Sequence, residues 1–144
     1  MTSVVNETLT DLNQLEFMEV KIDTREKFHA ITIQESTLAA NMTENLENCL
    51  IPLLQTNVKN VVLNLRDIQI MDNAAAERLV KLQQLFYENN ASFVICGLQK
   101  QVEETLDSEH LLELINVTPT ESEAGDIVQM EEIERELMDG NEQL

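Results

Sequence analysis

Apolar and polar residues alternate in two short segments near the start of the chain, and this pattern predicts a β-hairpin. The segments run from Glu16 to Ile22 and from Phe28 to Gln34, and the charged sequence DTREK lies between them. Successive side chains of a strand point to opposite faces, so a period of two residues is typical of strands, and a short charged connection favours antiparallel pairing. His29 falls in the second strand, where we interpret it as a half-buried strand residue and not as a ligand.

A period of three to four residues follows the hairpin and predicts a helix of about seventeen residues. Ser36 or Thr37 would cap its start, because a hydroxyl oxygen there can accept a backbone N–H of the first turn. Pro52 lies near its end and lacks a backbone N–H, so the last turn should kink or loosen. The apolar positions of this stripe are Leu38, Met42, Leu46, Cys49, Leu50, Leu53 and Leu54.

Short branched segments alternate with helical patterns in the rest of the chain. NVVLNL at Asn60–Leu65 is too short for a helix and too branched to face water, which predicts a central strand covered on both faces. Because strands and helices alternate, the connections should be crossovers and neighbouring strands largely parallel. The further strands are predicted at 92–96 and 114–117, and the helices at about 77–87, at 99–106 and after residue 120.

The last helix begins with a capping-box sequence, TESE at Thr120–Glu123. It carries Ile127, Met130, Ile133 and Leu137 on one side. This apolar seam, and another in the first fifteen residues, leave a homodimer open as an interpretation. We divide the chain into an arm at 1–15, which is either a weak amphipathic turn or frayed, a domain at 16–138 and an acidic tail at 139–144.

Charge and composition narrow the classes of partner. The 144 residues suffice for one domain, and 27 acidic against 9 basic residues give a formal net charge of -18. Such a field repels phosphate backbones and anionic lipid surfaces, which argues against nucleic acid and against a membrane as partners. Cys49 and Cys96 lie far apart in a chain without a predicted leader, which favours a reducing cytoplasm.

The sequence offers no pattern typical of an active site. His29 and His110 are its two imidazoles, and neither stands at a spacing typical of a nucleophile–base pair or a metal site. A receiver-like domain would use Asp67 or Asp72 as its phospho-acceptor. It would also need an acidic pair after an earlier strand to hold Mg²⁺ and a Lys after a later strand to hold the phosphoryl group, and the segments IQES and INVTPT supply neither. We therefore predict no catalytic residue, no metal and no cofactor.

The sequence MDNAAA at Met71–Ala76 lies where a predicted strand passes into a predicted helix. Asp72 and Asn73 are strong helix N-caps, since their side-chain oxygens accept backbone N–H groups of the first turn. Capping does not explain three consecutive alanines. Small side chains at a helix start leave the backbone open to another protein surface or to an anion.

The order of these elements resembles the STAS family of anti-sigma factor antagonists. The resemblance covers roughly Phe17–Met138 through VVLNLRDIQIMD, SFVICGL and LINVTPT, and the closing passage is similar to stand-alone STAS proteins of Bacteroidetes-type bacteria. It implies an α/β fold, a single STAS-like domain with a mixed four- to five-stranded sheet, an N-terminal hairpin and four to five helices. It further implies a cytoplasmic regulator of bacterial transcription that binds an anti-sigma factor or a related kinase-like protein.

In that family the junction usually reads Asp-Ser-Ser-Gly, and the first Ser is phosphorylated. Asp72 matches the Asp, Asn73 occupies the phospho-acceptor position, and Ala74 and Ala75 replace Ser and Gly. No hydroxyl is left at this junction. The family also often has Leu-Asp before its first helix, whereas Leu38 is followed here by Ala39.

The resemblance predicts a partner-binding surface that phosphorylation does not control. Asp72 would shape the loop, Asn73 would stand in for the unphosphorylated Ser, and Ala74, Ala75 and Ala76 would allow close approach. Arg78 and Lys81 would meet acidic groups of the partner. As an alternative, the same helix start would receive a nucleotide or another small ligand, with Arg66 and Arg78 on either side.

Overall fold

An antiparallel hairpin begins the part of the chain that the computed structural model describes, residues 18–143. Its strands are β1 (Val20–Thr24) and β2 (Phe28–Ile33), and Val20 pairs with Ile33. This confirms the predicted hairpin. The predicted arm at 1–15 and the first residues of the predicted first strand lie outside the described residues.

Strands and helices alternate after the hairpin, as predicted, except that two strands follow one another between the first and the second helix. The later strands are β3 (Thr37–Leu38), β4 (Asn60–Asn64), β5 (Ile70–Met71), β6 (Phe93–Cys96) and β7 (Val117–Thr118). The helices are α1 (Ala40–Leu50), α2 (Asn73–Glu88), α3 (Lys100–Ser108) and α4 (Glu121–Gln143). Residues 18–143 also contain two 3₁₀ turns, at Ile51–Gln55 and Leu112–Leu114.

The main sheet has five strands in the order β1-β2-β4-β6-β7. β1 and β2 are antiparallel, whereas the pairs β2–β4, β4–β6 and β6–β7 are parallel. The sheet is therefore mixed, with the hairpin at one edge. Every residue of β4 is buried, which confirms that this segment is a central strand.

The two faces of the sheet are covered by different helices. On one face, side chains of α1, α2 and α3 such as Leu46, Leu79 and Val102 pack in one large apolar cluster with Val61 and Leu63 of β4. On the other face, α4 covers a smaller cluster. Its members are Phe28, Ala30, Val62, Val94, Cys96, Ala124 and Val128.

The first helix begins later than predicted. Its N-cap is Ala39, so the expectation that Ser36 or Thr37 caps it is wrong. The Ser36 carbonyl oxygen instead accepts the backbone N–H groups of Gln69 and Ile70, at 2.7 and 3.1 Å, because this segment is drawn into a parallel pair with β5. The effect predicted for Pro52 is confirmed, since the α-helix passes there into a 3₁₀ turn.

The end of the domain follows the prediction with a shift of three residues. β7 begins at Val117 where a strand was predicted from Leu114. The capping box is confirmed: Thr120 Oγ1 accepts the Glu123 backbone N–H at 3.2 Å, and Glu123 Oε1 accepts the Thr120 N–H at 3.3 Å. α4 continues to Gln143, five residues beyond the predicted domain boundary at Met138.

His29 is a half-buried residue of β2, as predicted. Its Nε2 lies 2.9 Å from the Val58 carbonyl oxygen and its Nδ1 lies 2.9 Å from Thr24 Oγ1. A carbonyl oxygen only accepts, so Nε2 carries the hydrogen, and in the neutral ring Nδ1 accepts from the Thr24 hydroxyl. Burial lowers the pKa of His29, against a smaller opposing effect of the bond to Val58. Both ring nitrogens therefore make structural hydrogen bonds, one within the hairpin and one to the segment before β4.

Candidate functional site

A two-stranded parallel ladder, β3 with β5, sets the candidate site apart from the main sheet. Thr37 pairs with Ile70 and Leu38 with Met71, and the Leu38 carbonyl oxygen accepts the Asp72 backbone N–H at 3.2 Å. Each of these strands leads within two residues into a helix, β3 into α1 and β5 into α2. The ladder therefore places the two helix starts side by side.

Asp72 is the N-cap of α2. Its carboxylate Oδ1 accepts the Ala75 backbone N–H at 2.8 Å, and its carbonyl oxygen accepts the Ala76 N–H at 3.1 Å. The carboxylate also lies at the end of the helix where the peptide dipoles favour negative charge. The predicted capping role of Asp72 is present in the structure.

Replacing Asp72 with Ala should lower the free energy of unfolding by about 1 kcal/mol, because the N-cap oxygen is lost. Urea denaturation followed by circular dichroism measures this difference. Asp67 is an exposed Asp outside the helices and offers a matched control, since Asp67→Ala should leave stability within about 0.5 kcal/mol of wild type. Equal losses in the two variants would contradict the capping role.

Exposure separates the predicted surface into two groups. Asp72, Asn73 and Ala74 are exposed at the start of α2, Lys81 is exposed two turns further on, and Arg78 is half-buried. The other predicted members, Ala75 and Ala76, are 0 % exposed.

The prediction that Ala75 and Ala76 form part of the open surface is therefore wrong. Both side chains lie in the large apolar cluster with Leu38 and Met71. Their small size lets the first turn of α2 pack closely against the ladder and the core beneath it. Only Ala74, the first of the three alanines, faces outward.

Ile70 belongs to the same surface and was missed in the sequence. Its side chain is 52 % exposed, although it lies between the buried residues Ile68 and Met71. Its strand partner Thr37 is also exposed, so the ladder presents an apolar and a hydroxyl side chain next to the start of α2. The exposure of Ile70 could not be predicted from the segment IQIM, because a two-residue strand is too short to show which of its apolar side chains point outward.

α2 is held firmly beneath this surface. The buried Gln83 donates from Nε2 to the Phe93 carbonyl oxygen at 2.6 Å, and its Oε1 accepts the Asn116 backbone N–H at 3.1 Å. The Phe86 and Phe93 rings meet edge to face, with their centroids 5.1 Å apart. These contacts fix α2 to β6 and to the residue preceding β7, so Asn73 stands on a rigid support.

The groups that carry reactive chemistry lie elsewhere. Cys96 is buried at the end of β6, and burial raises the pKa of its thiol to about 12 with a further contribution from Glu121, so the thiolate is scarce at neutral pH. His110 is exposed after α3, as predicted. Among residues 18–143, no three His, Cys, Asp or Glu side chains are grouped closely enough to hold a metal ion. In the same part of the chain, no helix has the length and apolar character needed to cross a bilayer.

Two kinds of protein are among the solved structures with the same fold. An anti-sigma factor antagonist from Mycobacterium paratuberculosis has a TM-score of 0.66 and 10% identity, over 78% of this chain and 94% of that one. The antagonist SpoIIAA in its unphosphorylated form has a TM-score of 0.61 and 14% identity, over 76% of this chain and 96% of that one.

The second kind is an anion transporter. The murine anion transporter Slc26a9 has a TM-score of 0.62 and 14% identity, and the match covers 89% of this chain but 25% of the transporter. At these identities the similarity establishes the fold.

No curated protein matches the sequence. The model of the STAS domain family matches residues 19–124, from the hairpin to the first turn of α4. This match spans the main sheet, the β3–β5 ladder and all four helix starts. The chain therefore belongs to the STAS domain family.

Proposed function

We propose that this protein is a non-enzymatic interaction module that acts as an anti-sigma factor antagonist in a partner-switching pathway of the bacterial cytoplasm. Its partner is an anti-sigma factor or a related kinase-like protein. The observation that carries the proposal is the position of Asn73. This neutral side chain is exposed at the first residue of α2, directly after the Asp72 cap and beside the β3–β5 ladder.

The charge at this position decides which state of a phospho-switch the surface imitates. A phosphoserine brings about -1.5 to -2 charges and three acceptor oxygens, which repel an acidic or apolar partner face. Asn73 brings an uncharged amide and no hydroxyl to modify. The surface therefore corresponds to the unphosphorylated, partner-binding form and stays available at all times.

The neighbourhood of Asn73 fits protein docking. Ala74 leaves the helix start accessible, and Ile70 supplies an exposed apolar side chain of the kind that anchors interfaces. Arg78 and Lys81 provide positive charge further along α2 for acidic groups of the partner. Ala39, at the start of α1, lies next to this surface through the ladder, so both departures from the family pattern fall on one face.

The alternative of a nucleotide or small anion at the start of α2 is less well supported. The Asp72 carboxylate already accepts the Ala75 amide that an anion would use, and it places a negative charge at the entrance. The net charge of -18 opposes an anion in the same direction. The likeness to an anion transporter concerns the fold and supplies no residue for such a site.

Phosphorylation tests the proposal directly. We expect wild type to keep its intact mass after incubation with the candidate partner kinase and ATP, whereas Asn73→Ser should gain the mass of one phosphate group. Ala74→Ser is a matched control that adds a hydroxyl one residue further along, and it should stay unmodified. A phosphate on wild type at Thr37 of the ladder, or at Ser36 directly before it, would overturn the claim that the surface is permanently available.

A further inference from the structure

The C-terminal half of α4 carries a second surface, on the opposite side of the sheet from Asn73. α4 has 23 residues and is about 34 Å long from the rise per residue of an α-helix. Its apolar contacts with the sheet come from its first half, through Ala124, Ile127 and Val128. Between Gln129 and Met138, the half-buried residues are Glu131, Glu132 and Arg135, and their contacts with the rest of the domain are polar.

Those polar contacts turn the hydrophilic side of the helix inward. Glu131 Oε1 accepts from Ser92 Oγ at 2.5 Å and from the Tyr87 hydroxyl at 2.8 Å. Arg135 donates to Ser92 Oγ at 3.0 Å, and it also reaches the side chain of Asn60 at 3.3 Å. The helix is therefore held in place without its main apolar seam.

The part of the seam that follows Ile127 faces away from the domain. Met130, Ile133 and Leu137 recur at intervals of three and four residues, so they form one stripe, and they are 59 %, 56 % and 64 % exposed. Together with Met138 they account for four of the seven exposed large hydrophobic residues in the described part of the chain. A concentration of this kind on one helix marks an interaction site.

The negative charge of α4 favours a positively charged partner for this stripe. The helix from Glu121 to Gln143 contains nine acidic residues, and Arg135, its one basic residue, is engaged with Asn60 and Ser92. A second copy of the helix would bring like charges together. The segment 1–17 of the same chain has three acidic residues and no basic one, so it is repelled as well.

A groove beside the stripe has the same character. A cavity of about 670 Å³ opens between the end of α4, the end of α2 and the start of β4. Four carboxylates line it, against the two cations Lys59 and Arg135, and the exposed Met138 joins it to the apolar surface. The carboxylates are Glu131, Glu132, Glu134 and Glu136.

We infer that the outer face of α4 binds a basic amphipathic helix of a partner protein. The apolar residues of that helix lie on Met130, Ile133 and Leu137, and its Lys or Arg side chains meet the carboxylates that flank the stripe and line the groove. This surface is separate from the one around Asn73. The protein is thereby able to hold two partners, one on each side of its sheet.

Binding of a model peptide tests the inference. The probe is a fluorescein-labelled 14-residue peptide of two LKKLLKL repeats, measured by fluorescence anisotropy against the full chain. A scrambled peptide with the same composition but without helical period is the control for charge alone. We expect the patterned peptide to bind at least tenfold more tightly than the scrambled one, and Ile133→Ser with Leu137→Ser to remove that difference.

The variants keep the test interpretable. Both substitutions lie at exposed positions, and Leu114→Ser removes an apolar side chain of similar exposure, 58 %, from another part of the surface and should leave binding unchanged. Equal affinity for the two peptides, or an equal effect of Leu114→Ser, would overturn the inference. A wild-type dimer in sedimentation that dissociates in the Ile133→Ser, Leu137→Ser variant would overturn it in favour of a second copy.

Discussion

The Asn73→Asp variant should bind the protein partner about 30-fold more weakly than wild type, a loss of about 2 kcal/mol. The substitution preserves the shape of the side chain and adds one negative charge at an exposed position where the proposed interface forms. Charges of like sign brought together across an interface cost free energy of this order. A pull-down from a lysate of the native host identifies the partner, and calorimetry with the purified partner measures the affinity.

The same charge should not harm folding. An acidic side chain in the first turn of a helix is favourable by about 0.3–1 kcal/mol, so Asn73→Asp should unfold at an equal or slightly higher urea concentration. Weak binding together with undiminished stability locates the effect in the interface. Gln129→Glu on α4 adds the same charge on the other side of the sheet and should leave the affinity unchanged. If Asn73→Asp binds as tightly as wild type, the docking surface is not at the start of α2.

Replacing Phe86 with Ala should lower the free energy of unfolding by about 3–5 kcal/mol. Phe86 is 0 % exposed, lies in the large apolar cluster, and loses its edge-to-face contact with Phe93 on truncation. A domain whose whole stability is about 5–15 kcal/mol would retain only part of it. The chain contains no Trp, so tryptophan fluorescence cannot follow its unfolding. Urea denaturation monitored by far-ultraviolet circular dichroism measures the change.

Leu114→Ala provides the matched comparison, because Leu114 is an apolar residue that is 58 % exposed. It should change stability by less than about 0.5 kcal/mol. A loss below about 1 kcal/mol for Phe86→Ala would mean that α2 is not anchored to β6 as the structure describes. It would also contradict the inference that Asn73 stands on a rigid support.

Much of the fold follows from local pattern. The hairpin and the helix α2 were predicted because each is long enough to repeat its period, and the central strand β4 was predicted because its segment is short and branched throughout. The break at Pro52 and the capping box at Thr120 were predicted from the chemistry of single side chains, a missing N–H in one case and a reciprocal pair of hydrogen bonds in the other.

The β3–β5 ladder could not be predicted in this way. Each strand has two residues, too few to show a period, and they lie more than thirty positions apart. The ladder also explains why Ser36 and Thr37 are not caps, since pairing with β5 occupies that segment. The structure of residues 36–39 therefore depends on pairing with a distant segment, and so does the shape of the candidate site.

The burial of the alanines at the start of α2 could not be predicted from residue type alone. A run of small side chains is compatible with an open surface and with close packing, and the structure divides the run between the two, with Ala74 outside and Ala75 and Ala76 inside. The apolar seam of α4 was recognised, and the structure divides it, with Ile127 against the smaller cluster and Met130, Ile133 and Leu137 exposed. Polar contacts at Glu131 and Arg135 turn that seam outward, and the residues they bind come from distant parts of the chain.

The pairing of β3 with β5 also couples the starts of α1 and α2 mechanically. The backbone entering α1 and the backbone entering α2 share hydrogen bonds, so a displacement of one must be accommodated by the other. Ala39 and Asn73 follow these paired strands within two residues, so we expect substitutions at the two positions to be non-additive in their effect on partner binding.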